Sequence, residues 1–273
     1  MPYASTPGGK LYYETHGQGE PVLLHPGFGC TVEIYWRNTQ PLAERFRVIV
    51  FDPRGAGRSD AGPPTMLMKD FADDAAALLD ALGVESAHVA GTSFGGMVAQ
   101  HIALEHPARV RRLVLACTTP GGESHVLPPA ENMLKFMAAS EITDPVAAMR
   151  STYFLNYGDA FAAEHDGLLA GRALANQHLR STPEGRASQI NAVQNHDTAT
   201  RLRQIPHPTL VAHGTEDGTV PVGNGRALAA RIPNAELRLY PGGRHLFFTE
   251  CADALNRDIA RFLTAPPEHL ASK

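Results

Sequence analysis

The sequence predicts an α/β fold built on a mostly parallel sheet with helices on both faces, and three observations predict it. Short, uninterrupted apolar runs recur along the chain without the polar alternation of half-exposed strands, the signature of strands covered on both sides. Helix-period patterns separate them, and strand–helix–strand repetition calls for right-handed crossovers in a parallel sheet. The rhythm lapses once, over residues 119–205, and then resumes.

In chain order, Lys10 to Thr15, with Leu11-Tyr12-Tyr13 at its centre, is expected to open the sheet as a hairpin with Pro21 to His25. Buried strands are predicted at Val22-Leu23-Leu24, Val48-Ile49-Val50-Phe51, Ala87-His88-Val89-Ala90, Leu113-Val114-Leu115-Ala116 and Leu210-Val211-Ala212. Phe71, Ala75, Leu78, Leu79 and Leu82 share one face of a helix that Gly83 terminates. A second helix is expected from about Phe94 to His106, stopping before Pro107. Strand-like runs then vanish. The segment 119–205, rich in Met and aromatic residues, is too long for a plain loop, so it is read as a helical insertion, a lid over the carboxyl ends of the strands. The core is thus assigned to residues 1–118 and 206–273. Glu236 to Tyr240 is the predicted last strand and Phe247 to Leu263 the last helix, with a frayed tail after Pro266.

Composition narrows the function. The 273 residues are 43% hydrophobic and 19% charged, an ordinary globular balance, and no apolar run is long enough to span a bilayer. The first residues lack the basic and apolar regions of a secretory signal, so cytoplasmic residence is expected. A net charge of −4 offers no large basic field for nucleic acid. The cluster Arg109, Arg111, Arg112 leads into a strand and reads as its solvated entry. Cys30, Cys117 and Cys251 are far apart and suggest neither a disulfide framework nor a metal site. His101 and His106 lie five apart and form no H-E-x-x-H zinc pattern. The expectation is a monomer or homodimer acting on a small molecule, without metal, membrane or nucleic acid.

The chemistry is concentrated in Gly91-Thr92-Ser93-Phe94-Gly95-Gly96, which lies between a predicted strand and a predicted helix. A serine there must sit on a very tight turn, and a side chain at either flanking glycine would collide with strand or helix. The turn presents the Ser93 hydroxyl at the sheet edge and leaves the Phe94 N–H at a helix N-terminus, where developing negative charge is favoured. A serine hydroxyl needs a general base, and the base needs a group to orient it. Downstream, Thr209 to Asp217 ends a strand with an acid on its loop, and Leu239 to His245 ends the last strand with a histidine in a glycine-rich loop. Both fall at carboxyl ends of parallel strands, where open α/β sheets place their sites. Asp217 is preferred to its neighbour Glu216 as the acid, and His245 is the base.

Two further loops follow strands. His25-Pro26-Gly27-Phe28-Gly29 is flexible enough to aim a second backbone N–H at Ser93, from either Gly27 or Phe28, with His25 as structural support. The stretch Asp52 to Asp60 superficially suggests a dinucleotide turn, but it lacks the third glycine and the acidic partner, so a structural loop near the site is preferred.

At these residues the chain resembles the α/β-hydrolase superfamily, its signatures running in family order from about Leu11 to Leu263. The resemblance implies an eight-stranded, mostly parallel sheet, a Ser93/Asp217/His245 triad, no cofactor, and a substrate pocket between core and lid. Within the superfamily the chain looks most similar to small bacterial esterases, enol-lactonases and carbon–carbon bond hydrolases, and its Asp52 to Ser59 loop to proline iminopeptidases. A serine at the elbow argues against epoxide hydrolases and haloalkane dehalogenases, which place an aspartate there. Pro26 departs from the glycine of many relatives.

The reading is a serine hydrolase that opens an ester, lactone or thioester through an acyl-enzyme on Ser93. Oxyanion donors are Phe94 with Gly27 or Phe28. Met133, Phe136, Met137, Tyr153 and Phe154 are the candidates for an apolar pocket. Carbon–carbon bond hydrolysis, aminopeptidase action, cofactor-free haloperoxidase or perhydrolase chemistry and a triad-retaining receptor are the alternatives.

Overall fold

A computed structural model describes residues 2–266 of the chain, so the tail after Pro266 lies outside the described residues. Eight strands form one sheet: β1 (Tyr3–Thr6), β2 (Gly9–His16), β3 (Glu20–His25), β4 (Phe46–Phe51), β5 (Ala87–Thr92), β6 (Val110–Ala116), β7 (Thr209–Gly214) and β8 (Ala235–Tyr240). Their spatial order is β1-β2-β4-β3-β5-β6-β7-β8. Every pairing from β4 to β8 is parallel, and β2 runs antiparallel to both of its neighbours. The eight-stranded, mostly parallel sheet expected from the sequence is therefore present.

The predicted hairpin is not. Strand β2 turns back on β1, with Tyr3 opposite Tyr12, and its other edge pairs with β4, Tyr13 opposite Phe51. Strand β3 has no free edge for it, because Leu24 is already flanked by Val50 of β4 and Ala90 of β5. The real hairpin turn is Thr6-Pro7-Gly8-Gly9, closed by the Thr6 hydroxyl donating to the Gly9 carbonyl, 2.7 Å, with Gly9 at φ 128°.

Helices α1 (Thr39–Ala43), α2 (Met68–Ala81), α3 (Phe94–Glu105), α4 (Ala130–Ser140), α5 (Pro145–Ser151), α6 (Tyr153–Asn156), α7 (Asp159–Ala175), α8 (Pro183–Gln194), α9 (Gly223–Arg231), α10 (Phe247–Glu250) and α11 (Ala252–Thr264) complete the fold. The single last helix expected from the sequence is broken at Cys251, between α10 and α11. Because side chains alternate along a strand, Leu23, Ile49, Val89 and Leu113 face α2, α3 and α9, while Val22, Leu24, Val48, Val50 and Leu210 face α1, α10 and α11. Both faces are covered. Each fully buried Phe or Leu contributes about 1.5–3 kcal/mol by leaving water.

Helices α4 to α8 occupy the interval between β6 and β7. Its two ends are pinched together by an antiparallel bridge between Gly121 and Asp197. Gln100 of α3 fastens the pinch: its amide donates to the Thr119 carbonyl, 3.0 Å, and its oxygen accepts from the Thr198 hydroxyl, 2.6 Å. Within the interval, Gly185 of α8 lies so close to Gly55 of the loop after β4 that a Cβ on either would strike the partner's backbone. The three clustered arginines are all engaged: Arg109 with Asp80, Arg111 with Glu20, and Arg112 with the carbonyls of Phe262 and Ala265. Among the described residues no helix is long and apolar enough to cross a membrane.

Three interior imidazoles set an acid limit on this fold. Burial pushes His25, His101 and His196 down from 6.5 to about 4, the last two packed 5.5 Å apart. Between those two values the unfolded chain binds protons that the native chain refuses, so this contribution to stability is complete above pH 6.5 and declines as pH falls toward 4. Chemical denaturation midpoints measured across that window should fall steadily, and a flat profile would contradict the assignment.

Candidate active site

The backbone at Ser93 is held where few residues go. Its φ of 54° and ψ of −117° are strained for a side chain with a Cβ, and its N–H donates to the Ala116 carbonyl of β6, 2.9 Å. The flanking glycines explain how the turn closes. A Cβ on Gly91 would collide with the Gly95 carbonyl, and one on Gly95 with the carbonyls of His25 and Pro26. Thus α3 begins pressed against the ends of both β5 and β3. Ser93 remains partly open to solvent while its surroundings are buried.

The loops after β7 and β8 meet it there. Gly214 and Gly243 touch through backbone, and Glu216 N–H donates to the Gly243 carbonyl, 3.0 Å, which brings the two loops side by side. His245 Nε2 lies 3.1 Å from Ser93 Oγ, and its Nδ1 lies 2.9 and 3.1 Å from the two oxygens of Asp217. A carboxylate only accepts, so Nδ1 carries the proton and Nε2 is the acceptor toward the serine hydroxyl. Glu216, the competing acid, is exposed, whereas Asp217 is buried.

Asp217 is a crowded acceptor. Oδ1 takes the N–H groups of Thr219 and Val220 at 2.9 and 2.8 Å. Oδ2 faces a second histidine, His213, whose Nε2 lies 3.5 Å away and donates to the Val220 carbonyl at 2.8 Å. Burial alone would push the carboxyl up, but His245 and His213 outweigh it and hold Asp217 well below the usual carboxylate range. His213 was not singled out from the sequence. Its only signal was a histidine inside an otherwise apolar strand, four residues before the acid.

The loop from His25 to Gly29 packs against the elbow. A Cβ on Gly27 would lie 3.6 Å from the Ser93 Cβ, and the Phe28 ring meets Phe94 edge-on at 6.5 Å. Phe94, as the first residue of α3, has no intrahelical acceptor for its N–H. The Gly29 N–H is taken: it donates to Gln189 Oε1 of α8, 2.7 Å. No acceptor for the N–H of Gly27 or Phe28 is found among the described residues, so either remains available to an incoming oxygen. His25 is fully buried, its Nδ1 donating to the Pro26 carbonyl at 3.0 Å, the supporting place expected of it. Asp52 is buried too, accepting from the N–H groups of Val32 and Arg58, so its loop is held by its own acid.

Gln189 is a second residue that the sequence did not single out. Fully buried, it also donates to the Arg54 carbonyl, 3.4 Å, and so ties α8 to both loops that frame Ser93. Backbone contacts from α6 reach the site as well, with the N–H of His245 donating to the Leu155 carbonyl, 3.0 Å.

A cavity of about 240 Å³ is lined by Phe28 and Gly29 together with residues of α4, α5 and the segment 180–186. Of the five proposed pocket residues, Phe136 lines it and the others do not. Met133 and Met137 lie on exposed parts of α4, Phe154 packs under the Lys135 ammonium, and the Tyr153 hydroxyl donates to Asp166. Met133, Phe136 and Met137 share one face of α4 at i, i+3 and i+4 spacing, and of the three only Phe136 borders this cavity. Among the described residues no group of three or more His, Cys, Asp or Glu side chains is arranged to hold a metal ion.

A doubly covered parallel sheet with a strained serine on a strand-to-helix elbow, facing a histidine and an acid from the two following strand ends, defines an α/β hydrolase. Comparison with known proteins agrees. The chain belongs to the family described as the alpha/beta hydrolase fold, whose model matches residues 20–250. It is 33% identical to RutD of Azorhizobium caulinodans, provisionally named a carbamate hydrolase, over 96% of this chain and 98% of that protein. Among solved structures it is similar to an enol-lactonase from Burkholderia xenovorans LB400, with a TM-score of 0.84, 25% identity, and 97% and 100% of the two chains covered. It is also similar to Est816, described as an N-acyl homoserine lactone degrading enzyme, with a TM-score of 0.80, 31% identity, and 96% and 100% covered.

Proposed function

We propose that this hydrolase opens a carboxylic ester, lactone or thioester through an acyl-enzyme on Ser93. The observation that carries the reading is the continuous hydrogen-bonded path from Ser93 Oγ through His245 to Asp217. Ser93 Oγ attacks the carbonyl carbon while its proton passes to His245 Nε2, and Asp217 stabilises the imidazolium so formed. The Phe94 N–H, with that of Gly27 or Phe28, receives the charge that develops on the carbonyl oxygen. His245 then returns the proton to the departing alkoxide or thiolate. In the second half a water attacks the acyl carbon, gives its proton to His245, and Ser93 leaves with it. Helices α4 to α8 serve as the lid over this centre.

The lactonase relatives support a lactone or ester, and the 33% identity to RutD keeps a carbamate carbonyl as the second reading. A panel of p-nitrophenyl esters, lactones, thioesters and carbamates, together with fluorophosphonate labelling and peptide mapping, tests it. Turnover on the panel with the adduct on Ser93 is the expected result, and a protein inert to both overturns the proposal.

Gln189 gives a subtler check. Gln189→Leu frees the Gly29 N–H and loosens the loop that carries Gly27 and Phe28, so kcat should fall by about tenfold to a hundredfold while labelling of Ser93 persists. A variant with unchanged kcat would remove α8 from any role in the site.

A further inference from the structure

We infer that the acyl group of the substrate ends in a carboxylate, bound between Arg180 and Arg186 in the cavity that Phe28 and Gly29 line. The inference rests on the proposed hydrolysis at Ser93 and adds the substrate's charge.

Both arginines line that cavity, and neither has a carboxylate partner among the described residues. Arg54, Arg58 and Arg172, by contrast, are paired with Asp74, Asp52 and Glu33. Ser181, next to Arg180 in the chain, lines the same cavity, and its Oγ is buried with no hydrogen-bond partner among the described residues. A buried hydroxyl without a partner is unfavourable, and an oxygen anion entering the cavity would satisfy it. The N-terminus of α8, capped by the Thr182 hydroxyl accepting from Gly185 N–H, adds its positive end next to Ser181.

Apart from Thr152 the remaining side chains are apolar, Phe136, Ala139, Ile142 and Ala148 with Phe28, and suit methylene groups better than a second charge. Distance sets the length of the chain. Gly27 packs against Ser93 and Gly29 borders the cavity, two residues or roughly 7 Å of backbone further on. A carboxylate in the cavity would therefore be separated from the scissile carbonyl by several carbons, as in an adipoyl or suberoyl half-ester. Arginine presents the planar fork that a carboxylate fills, a match that a neutral ester terminus does not offer.

The test compares p-nitrophenyl monoesters of adipic and suberic acids with the same esters methyl-capped at the far end. In the parent protein kcat/KM should favour the free acid over its methyl ester. In Arg180→Gln/Arg186→Gln that preference should fall by about tenfold to a hundredfold, the range of charge-assisted hydrogen bonds, and Arg186→Lys should retain part of it. The single Arg→Gln variants replace the double one if its melting temperature shows that it does not fold. A parent that prefers the methyl esters at both lengths, or a folded variant that keeps the preference, overturns the proposal.

Titration calorimetry with adipate and suberate, with dimethyl adipate as the neutral control, reads the cavity without turnover. Saturable dianion binding weakened in the Arg→Gln variants supports the site, and binding unchanged in them overturns it. If no ester is hydrolysed and Ser93 resists fluorophosphonate, the hydrolase reading fails, and this titration still decides the cavity.

Discussion

Replacing Ser93 with alanine should leave the fold intact and lower kcat by about 10⁴ or more on any ester that the parent hydrolyses. Among the described residues the side chain's one polar contact is with His245 Nε2. The strained backbone at φ 54° belongs to the turn, and alanine carries the same Cβ, so the cost of that conformation is unchanged. Matching melting curves with kcat at or below the stated fraction, and no fluorophosphonate adduct, is the expected outcome. A purified variant turning over within tenfold of the parent would mean that another group supplies the nucleophile.

Asp217→Asn should cost about 10⁴ in kcat, the scale seen when an imidazole is locked in the wrong tautomer. The surroundings force that outcome. The N–H groups of Thr219 and Val220 both point at Oδ1, so the asparagine oxygen must stay there. The amide NH₂ then occupies the place of Oδ2, facing His245 Nδ1 and lying 3.5 Å from His213 Nε2. A donor there turns His245 over to the tautomer with its proton on Nε2, which offers Ser93 a donor and leaves nothing to take its proton. Steady-state kcat with an activated ester checks this. Loss of less than tenfold would show that Asp217 does not govern the histidine.

Much of this architecture was legible in the linear chain because it depends on neighbours close in sequence. The Leu23/Leu24, Ile49/Val50 and Leu113/Val114 pairs, buried on opposite faces, make a run that is apolar at every position and only fits a covered sheet. Gly91 and Gly95 are required within four residues of Ser93 by contacts inside one turn. Strand pairing was less legible. The sequence shows β2 as a strand but not that its partners are β1 and β4, since hairpin proximity along the chain favours β3, whose edges are consumed by two parallel neighbours.

Sequence alone determined the sheet-forming runs, the elbow and the order serine, acid, histidine, because each is written in spacings of a few residues. Tertiary structure alone decided that Asp217 and not exposed Glu216 turns inward, that His213 shares its carboxylate, that Gln189 holds a loop 160 positions away, and that Arg180, Ser181 and Arg186 border one cavity with Phe28. Those outcomes depend on which strand ends and helix faces pack together. Packing is settled by the whole core at once, and no local pattern carries it.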